Sequence, residues 1–189
     1  MRFFSYFLLS LTLTLAACQL QENSADQLLT TVKKFYAWVL VNGEATQALA
    51  PNIVDIPNST RFKLETGNLK FFTEKMMSSG VFAPNFPSKV EEYYAKHQAA
   101  FAKLPQQEFD EMAKLGRGPM MEVEDMDMFF CAQEYEQTPE FVAKLAIKKI
   151  NLKGNTAWAV IESPYGWPTT FYFEKINQQW LISGYCVFE

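Results

Sequence analysis

The chain contains one histidine, His97, although histidine is the side chain most often used as a general base or a metal ligand. It lies between Tyr93 and Phe101 at helical spacing, on an apolar stripe. This position favours a core or boundary histidine over a catalytic one. A Ser/His/Asp triad or a Cys/His pair is not specified by a single histidine, and a zinc site would lack its usual partners.

Methionines and carboxylates interleave over residues 120–128, in the order Met-Met-Glu-Val-Glu-Asp-Met-Asp-Met. Thioether sulfur can bind copper(I), and carboxylates can bind a hard cation. No histidine or second group of soft ligands accompanies the methionines, and the spacing and glycine of a calcium loop are missing. An edge strand with methionines inward and carboxylates outward explains the pattern as well. We therefore predict no metal site and no cofactor.

Three polar residues near the start of the predicted sheet, Asp127, Gln133 and Glu134, are candidate ligand-binding groups. They are expected near a pocket mouth, where Asp127 or Glu134 could serve as a general base. The alternative is that they cap turns and face solvent. Two carboxylates alone are a weak signal for acid–base chemistry, so we predict no catalytic residue.

The sequence Pro164-Tyr-Gly-Trp-Pro168 joins two predicted strands. Large aromatic side chains at a hairpin tip are costly to leave in water unless they pack or bind. Tyrosine and tryptophan are also typical anchors of protein interfaces. Tyr165 and Trp167 are therefore candidate partner-binding residues, and packing onto the rim of the sheet is the alternative.

An apolar run over residues 3–17 follows the basic Arg2, which is the pattern of a secretory signal peptide. The run is too short to span a bilayer as a helix. It ends in Leu15-Ala-Ala-Cys18, which resembles the lipobox of bacterial lipoproteins. The resemblance implies cleavage before Cys18, lipidation of its sulfur and a stable membrane anchor. Gln19, in place of aspartate, implies the outer membrane by the sorting rules of such lipoproteins.

Lipidation of Cys18 leaves Cys131 and Cys186 as a pair. In an oxidising periplasm such a pair favours a disulfide, which would tie the chain before the sheet to the last strand. Two buried thiols that behave as small apolar side chains are the alternative.

Composition limits the partners of the chain. The formal net charge is −4 and no basic patch stands out, so nucleic acid is not an expected partner. Apart from residues 3–17, no long apolar segment occurs. The predicted organisation is a signal peptide at 1–17, a lipidated cysteine with a linker at 18–23, and a single α+β domain at 24–189.

Helices are expected in the first part of the chain. Ser24-Ala-Asp-Gln27 and Ser88-Lys-Val-Glu91 have the pattern of capping boxes, and Asn42-Gly43 is typical of a helix end. Residues 50–67 are predicted to be irregular. The predicted helices cover residues 25–41, 44–49, 68–78 and 88–104, with helix or turn over 106–120.

Four runs rich in β-branched and aromatic residues follow, separated by turn signals, and predict an antiparallel meander. On the last run, Trp180, Ile182, Gly184 and Cys186 are expected on one face. Helices followed by a curled antiparallel sheet make an α+β domain. The predicted strands cover residues 141–152, 156–163, 169–176 and 179–187.

Two stretches, residues 32–40 (VKKFYAWVL) and residues 125–184, resemble a family of small secreted domains of unknown function that includes the enterobacterial lipoprotein YbjP. That family is similar to the nuclear transport factor 2-like superfamily. The resemblance implies helices packed into the concave face of a curled sheet, with a cone-shaped pocket. The superfamily contains ketosteroid isomerase and many members that bind or scaffold, so the fold assigns no activity. No residue of this sequence can be matched to the site residues of ketosteroid isomerase, so the resemblance implies no catalytic residue.

The leading expectation is a non-enzymatic envelope lipoprotein that binds a partner protein, or an apolar ligand in its cone. The second is a small-molecule isomerase or dehydratase that uses Asp127 or Glu134 as its base. The third is a structural envelope or toxin-neutralising protein.

Overall fold

The computed structural model of the protein describes residues 3–121, 126–133 and 135–189, with side chains from residue 24 onward. Helices come first and a sheet follows, which confirms the predicted α+β class. The elements in chain order are α1 (Phe3–Gln47), β1 (Asn52–Asp55), β2 (Phe62–Glu65), α2 (Leu69–Met77), α3 (Phe86–Lys103), α4 (Gln106–Lys114), α5 (Pro139–Ala143), β3 (Ala146–Lys153), β4 (Thr156–Glu162), β5 (Pro168–Ile176) and β6 (Gln179–Tyr185).

The main sheet has four antiparallel strands in the order β3-β4-β5-β6, so each strand pairs with its neighbour along the chain. Alternate side chains face inward, as the strand period of two requires. Ala159 and Ile161 are buried on β4, and Phe171 and Phe173 are buried on β5. The predicted strands for β4, β5 and β6 agree with the structure to within two residues at each end.

Helices α1 and α3 pack against the inner face of the sheet. Tyr185 is fully buried at the centre of this contact. Its ring centroid lies 5.2 Å from Phe35 of α1, 6.1 Å from Phe86 of α3 and 5.4 Å from Phe171 of β5. Aromatic rings bury large apolar areas and favour tilted or offset contacts. The space between helices and sheet is thus filled by side chains.

The first helix is longer than predicted at both ends. It is continuous from Phe3 to Gln47, so the box at residues 24–27 does not begin it and the predicted helix at 44–49 is largely its last turn. Asn42 and Gly43 lie inside it. A Cβ on Gly43 would lie 3.1 Å from Val39 Cγ1 of the preceding turn, and the Asn42 side-chain oxygen accepts a hydrogen bond from Lys75 at 3.0 Å.

Residues 50–67 are not irregular, because β1 and β2 form an antiparallel hairpin there. Its turn is closed by a hydrogen bond from the Ile56 amide to the Arg61 carbonyl, with Asn58 at φ 59°. The signal for this hairpin is present in the sequence. Pro57-Asn58 is a turn pair between two short runs that contain β-branched or aromatic residues.

Two other element starts also differ from the prediction. α3 begins at Phe86, with Pro87 in its first turn, so residues 88–91 are helix interior and not a capping box. Proline suits this place because its missing amide has no helical partner there. The short helix α5 occupies the start of the predicted strand at 141–152, and the Thr138 hydroxyl caps it by accepting from the Phe141 amide at 3.1 Å.

A β-bulge changes which residues of β6 face the core. Tyr172 pairs with Gly184, but Phe173 pairs with Ile182, so Ser183 is an extra residue in the strand. Such an insertion reverses the alternation beyond it. Tyr185 therefore faces inward with Ile182, and the prediction that Gly184 shares the face of Ile182 is wrong.

Candidate functional site

The connection between β4 and β5 forms a fixed turn, here called the aromatic turn (residues 163–167). The Ser163 hydroxyl accepts hydrogen bonds from the amides of Tyr165 and Trp167 at 3.3 and 3.2 Å. The Gly166 amide donates to the Ser163 carbonyl at 2.9 Å, and Gly166 has φ 79°, which favours glycine. The backbone of the aromatic turn is thus held by one serine and one glycine.

Both aromatic side chains of this turn are half exposed and half packed. Tyr165 is 47% exposed and Trp167 is 41% exposed. The Tyr165 hydroxyl donates to the Glu136 carboxylate, and its ring centroid lies 5.9 Å from Phe141. The sequence allowed two alternatives for these side chains, packing on the rim of the sheet or binding a partner. Tyr165 thus combines contacts to the domain with an exposed part, and the partly exposed Trp167 lines the small cavity beside Tyr36 and Thr169.

Asp127 supports the loop that leads into the sheet. Its Oδ1 accepts hydrogen bonds from the amides of Phe129 and Phe130 at 2.9 and 2.8 Å. Its own amide donates to the Ala132 carbonyl at 3.1 Å, and its carbonyl accepts from the Cys131 amide at 2.8 Å. These contacts are those of a carboxylate that caps a turn.

The structure describes one of the other two polar candidates. Gln133 is exposed. Glu134 lies outside the described residues, as do residues 122–125 of the methionine-rich stretch. Within that stretch, the described residues form no strand: Met120 is 58% exposed, whereas Met121 and Met128 are buried. The edge strand offered as one explanation of the pattern is therefore not seen at the described positions.

Two buried tyrosines lie close to Asp127. The Tyr185 hydroxyl donates to the Met128 carbonyl at 3.1 Å, and the hydroxyl of Tyr36 bonds to Thr169. Burial, and then the nearby charges that include Asp127, raise the pKa of both tyrosines well above the usual range. Both hydroxyls therefore stay protonated in the folded protein at pH values where an exposed tyrosine ionises.

Little space remains between the helices and the inner face of the sheet. In the described residues, the cavity beside Tyr36 and Thr169 has a volume of about 10 Å³, which is room for about one water molecule. Wider spaces are surface grooves. One of about 390 Å³ lies between α1 and the turn before β6, and is lined by Thr31, Lys34 and Trp180.

Cys131 and Cys186 are placed as the predicted disulfide requires. Their sulfur atoms are 2.00 Å apart and their Cα atoms 5.7 Å apart. The link connects the loop after Met126 to the end of β6. Both cysteines have positive φ, 52° and 55°, which is uncommon for a residue with a side chain.

One sulfur contact was not predicted from the sequence. Met126 Sδ lies 3.6 Å from Cys131 Sγ and 3.8 Å from Cys186 Sγ. The signal was available, because Met126 belongs to the methionine-rich stretch and lies five residues before a cysteine of the predicted pair. Among the residues that the structure describes, no group of three His, Cys, Asp or Glu side chains could hold a metal ion.

His97 lies in the core, as its position on the apolar stripe predicts. It is 9% exposed, and its ring centroid lies 4.6 Å from Tyr93 and 6.1 Å from Phe101. The aromatic contacts place it between the rings of its own helix.

No family model matches the chain, and no curated protein or solved structure is significantly similar to it. Within the described part of the chain, no helix is both long and apolar enough to cross a bilayer. The functional interpretation therefore rests on three local features: the aromatic turn, the loop held by Asp127, and the contact between Met126 and the disulfide.

Proposed function

We propose that this protein is a lipid-anchored envelope protein whose α+β domain binds a partner protein without catalysis. The observation that carries the proposal is the aromatic turn. It presents a half-exposed tyrosine and a half-exposed tryptophan, Tyr165 and Trp167, on a backbone fixed by Ser163 and Gly166. A single protein partner that covers both rings is the occupant that we propose.

A fixed aromatic pair suits protein recognition for an energetic reason. Binding usually costs conformational entropy as side chains and loops become ordered. The bond from Tyr165 to Glu136 and the contact with Phe141 already restrict one ring. Tyrosine and tryptophan then supply large contact areas, and they dominate the energy of many interfaces.

The second expectation, an isomerase or dehydratase, receives less support from the geometry. A small-molecule site usually has a volume of roughly 300–1,000 Å³. The described residues leave about 10 Å³ beside Tyr36 at the inner face of the sheet. Asp127, the proposed base, uses Oδ1 to accept two backbone hydrogen bonds. The same lack of space weighs against an apolar ligand in the cone.

The anchor is proposed from the sequence alone. Lipidation of Cys18 and transfer to the outer membrane would confine the domain to the periplasmic face of that membrane. Mass spectrometry of the mature protein tests this proposal. We expect a triacylated peptide that begins at Cys18, and an unprocessed amino terminus would contradict the anchor.

The partner site is tested by photo-crosslinking in intact envelopes. A photoreactive phenylalanine analogue at position 167 should give a discrete crosslinked band, and Tyr165→Ala should weaken that band. Phe71→Ala is the matched control, because Phe71 is similarly exposed, at 56%, on α2. The double change Tyr165→Ala and Trp167→Ala should reduce recovery of the same partner about 30-fold, as expected when a contact worth about 2 kcal/mol is lost. If the double variant and the control Phe71→Ala recover equal amounts of the partner, the aromatic turn is not the binding site.

A further inference from the structure

Three sulfur atoms meet beside the end of β6. Met126 Sδ lies 3.6 Å from Cys131 Sγ and 3.8 Å from Cys186 Sγ, and the two cysteine sulfurs are bonded to each other. Thiolate and thioether sulfurs are soft ligands that favour copper(I). In the sequence, no second group of soft ligands accompanies the methionine-rich stretch. In the fold, Cys131 and Cys186 lie beside Met126 and provide such a group.

We propose that Met126, Cys131 and Cys186 form a three-sulfur copper(I) site once the disulfide is reduced. For metal–sulfur bonds of about 2.3 Å, a trigonal site requires sulfur atoms about 4 Å apart. Met126 already lies at this spacing from both cysteines. Only the two cysteine sulfurs have to separate, and rotation about their side-chain bonds achieves this while the Cα atoms stay near 5.7 Å.

The loop that carries two of the ligands is held independently of the disulfide. Asp127 caps the amides of Phe129 and Phe130, and its own backbone pairs with Ala132 and Cys131. These bonds remain when the sulfur–sulfur bond is broken. Met126 and Cys131 therefore keep their relative positions, which lowers the entropy that metal binding must overcome.

The site has a route to solvent. Cys186 lines a surface groove of about 390 Å³, whose charged lining residues are Lys89, Lys96, Glu92 and Glu189. Copper(I) bound by two thiolates and one thioether carries a net charge of −1. The two lysines and two glutamates cancel in formal charge, so the softness of the sulfur ligands, and not the charge of the groove, selects copper(I).

The chemistry balances with a dithiol as reductant. The dithiol transfers two electrons and two protons to the disulfide, becomes a disulfide itself, and leaves thiols at Cys131 and Cys186. Copper(I) then displaces the two thiol protons and keeps its oxidation state. The site thus cannot bind copper(I) in the oxidised protein and can bind it in the reduced protein. The proposal does not depend on the proposed role of the aromatic turn.

The test uses the full chain in detergent under anaerobic conditions, with copper(I) supplied in competition with bicinchoninate. We expect one copper(I) per reduced chain and at least 100-fold weaker binding by the oxidised chain. Met126→Leu, which keeps the size of the side chain, should weaken binding at least tenfold. Met120→Leu is the control, because Met120 is exposed, and it should bind as the wild type does.

X-ray absorption then counts the ligands. Three sulfur neighbours in the wild type and two in Met126→Leu are expected. Equal affinity and equal sulfur count in the two proteins would overturn the role of Met126. A reduced chain that loses its near-UV circular dichroism and binds no copper, or one that shares a single copper between two chains, would overturn the site itself.

Discussion

Asp127 is a carboxylate and could therefore be a general base, but its contacts in the structure stabilise a turn. Its carboxylate accepts two short backbone hydrogen bonds, from Phe129 and Phe130. Bonds to a charged acceptor are stronger than neutral ones, and a donor left unpaired costs further free energy. Asp127→Ala should therefore lower the free energy of unfolding by about 1–3 kcal/mol.

Urea denaturation of the oxidised protein measures this loss. Asp127→Asn is the matched variant, because its amide oxygen can accept the same two bonds without the charge. We expect it to lose less than half as much. Equal losses for both variants would show that the charge, and not the cap, is what matters at position 127.

Gly184 carries a second prediction at the residue scale. A Cβ at this position would lie 2.7 Å from the Phe188 carbonyl oxygen, which is backbone and has little freedom to move. Gly184→Ala should lower the free energy of unfolding by about 1–3 kcal/mol, as overpacking does. Gly67→Ala is the control for urea denaturation, since its nearest neighbour is the flexible Glu65 side chain at 3.3 Å. A stability equal to that of the control would mean that the chain end moves aside freely.

At the scale of elements, periodic patterns predicted the strands β4, β5 and β6 closely, but local end signals were misleading. The Asn42-Gly43 pair is typical of a helix end, yet α1 continues through it to Gln47. Asn42 accepts a hydrogen bond from Lys75 of α2, and a contact between residues so far apart in the chain leaves no mark on local sequence. The same holds for the bulge at Ser183, which is set by pairing with β5, and for Met126, whose neighbour Cys186 comes from another element.

The disulfide joins the loop before α5 to the residue after β6, across a sequence separation of 55 residues. Loop-closure entropy predicts that such a link stabilises the folded state by about 4 kcal/mol, since it restricts the unfolded chain. The double variant Cys131→Ser and Cys186→Ser should lose most of this in urea denaturation. Reduction of the wild type should produce a similar loss. An unchanged midpoint in both experiments would mean that the link contributes nothing to stability.

The whole molecule carries an alkaline limit that follows from its aromatic core. Burial, the largest cause in each case, raises the pKa of Tyr36, Tyr94 and Tyr185 in the folded protein. In the unfolded chain these hydroxyls lose their protons near pH 10. Below that pH both states keep the protons, and above it only the unfolded chain releases them.

Stability should therefore be full below about pH 10 and fall as the pH rises further, by about 1.4 kcal/mol per pH unit for each of these tyrosines. Urea denaturation between pH 8 and pH 11.5 measures the slope. Tyr94→Phe removes one titrating group whose hydroxyl has no hydrogen-bond partner among the described residues, so it should reduce the slope by about 1.4 kcal/mol per pH unit. Tyr172→Phe is the comparison, because Tyr172 is only partly buried, and it should change the slope less. A slope that is the same in all three proteins would mean that the buried tyrosines do not set the alkaline limit.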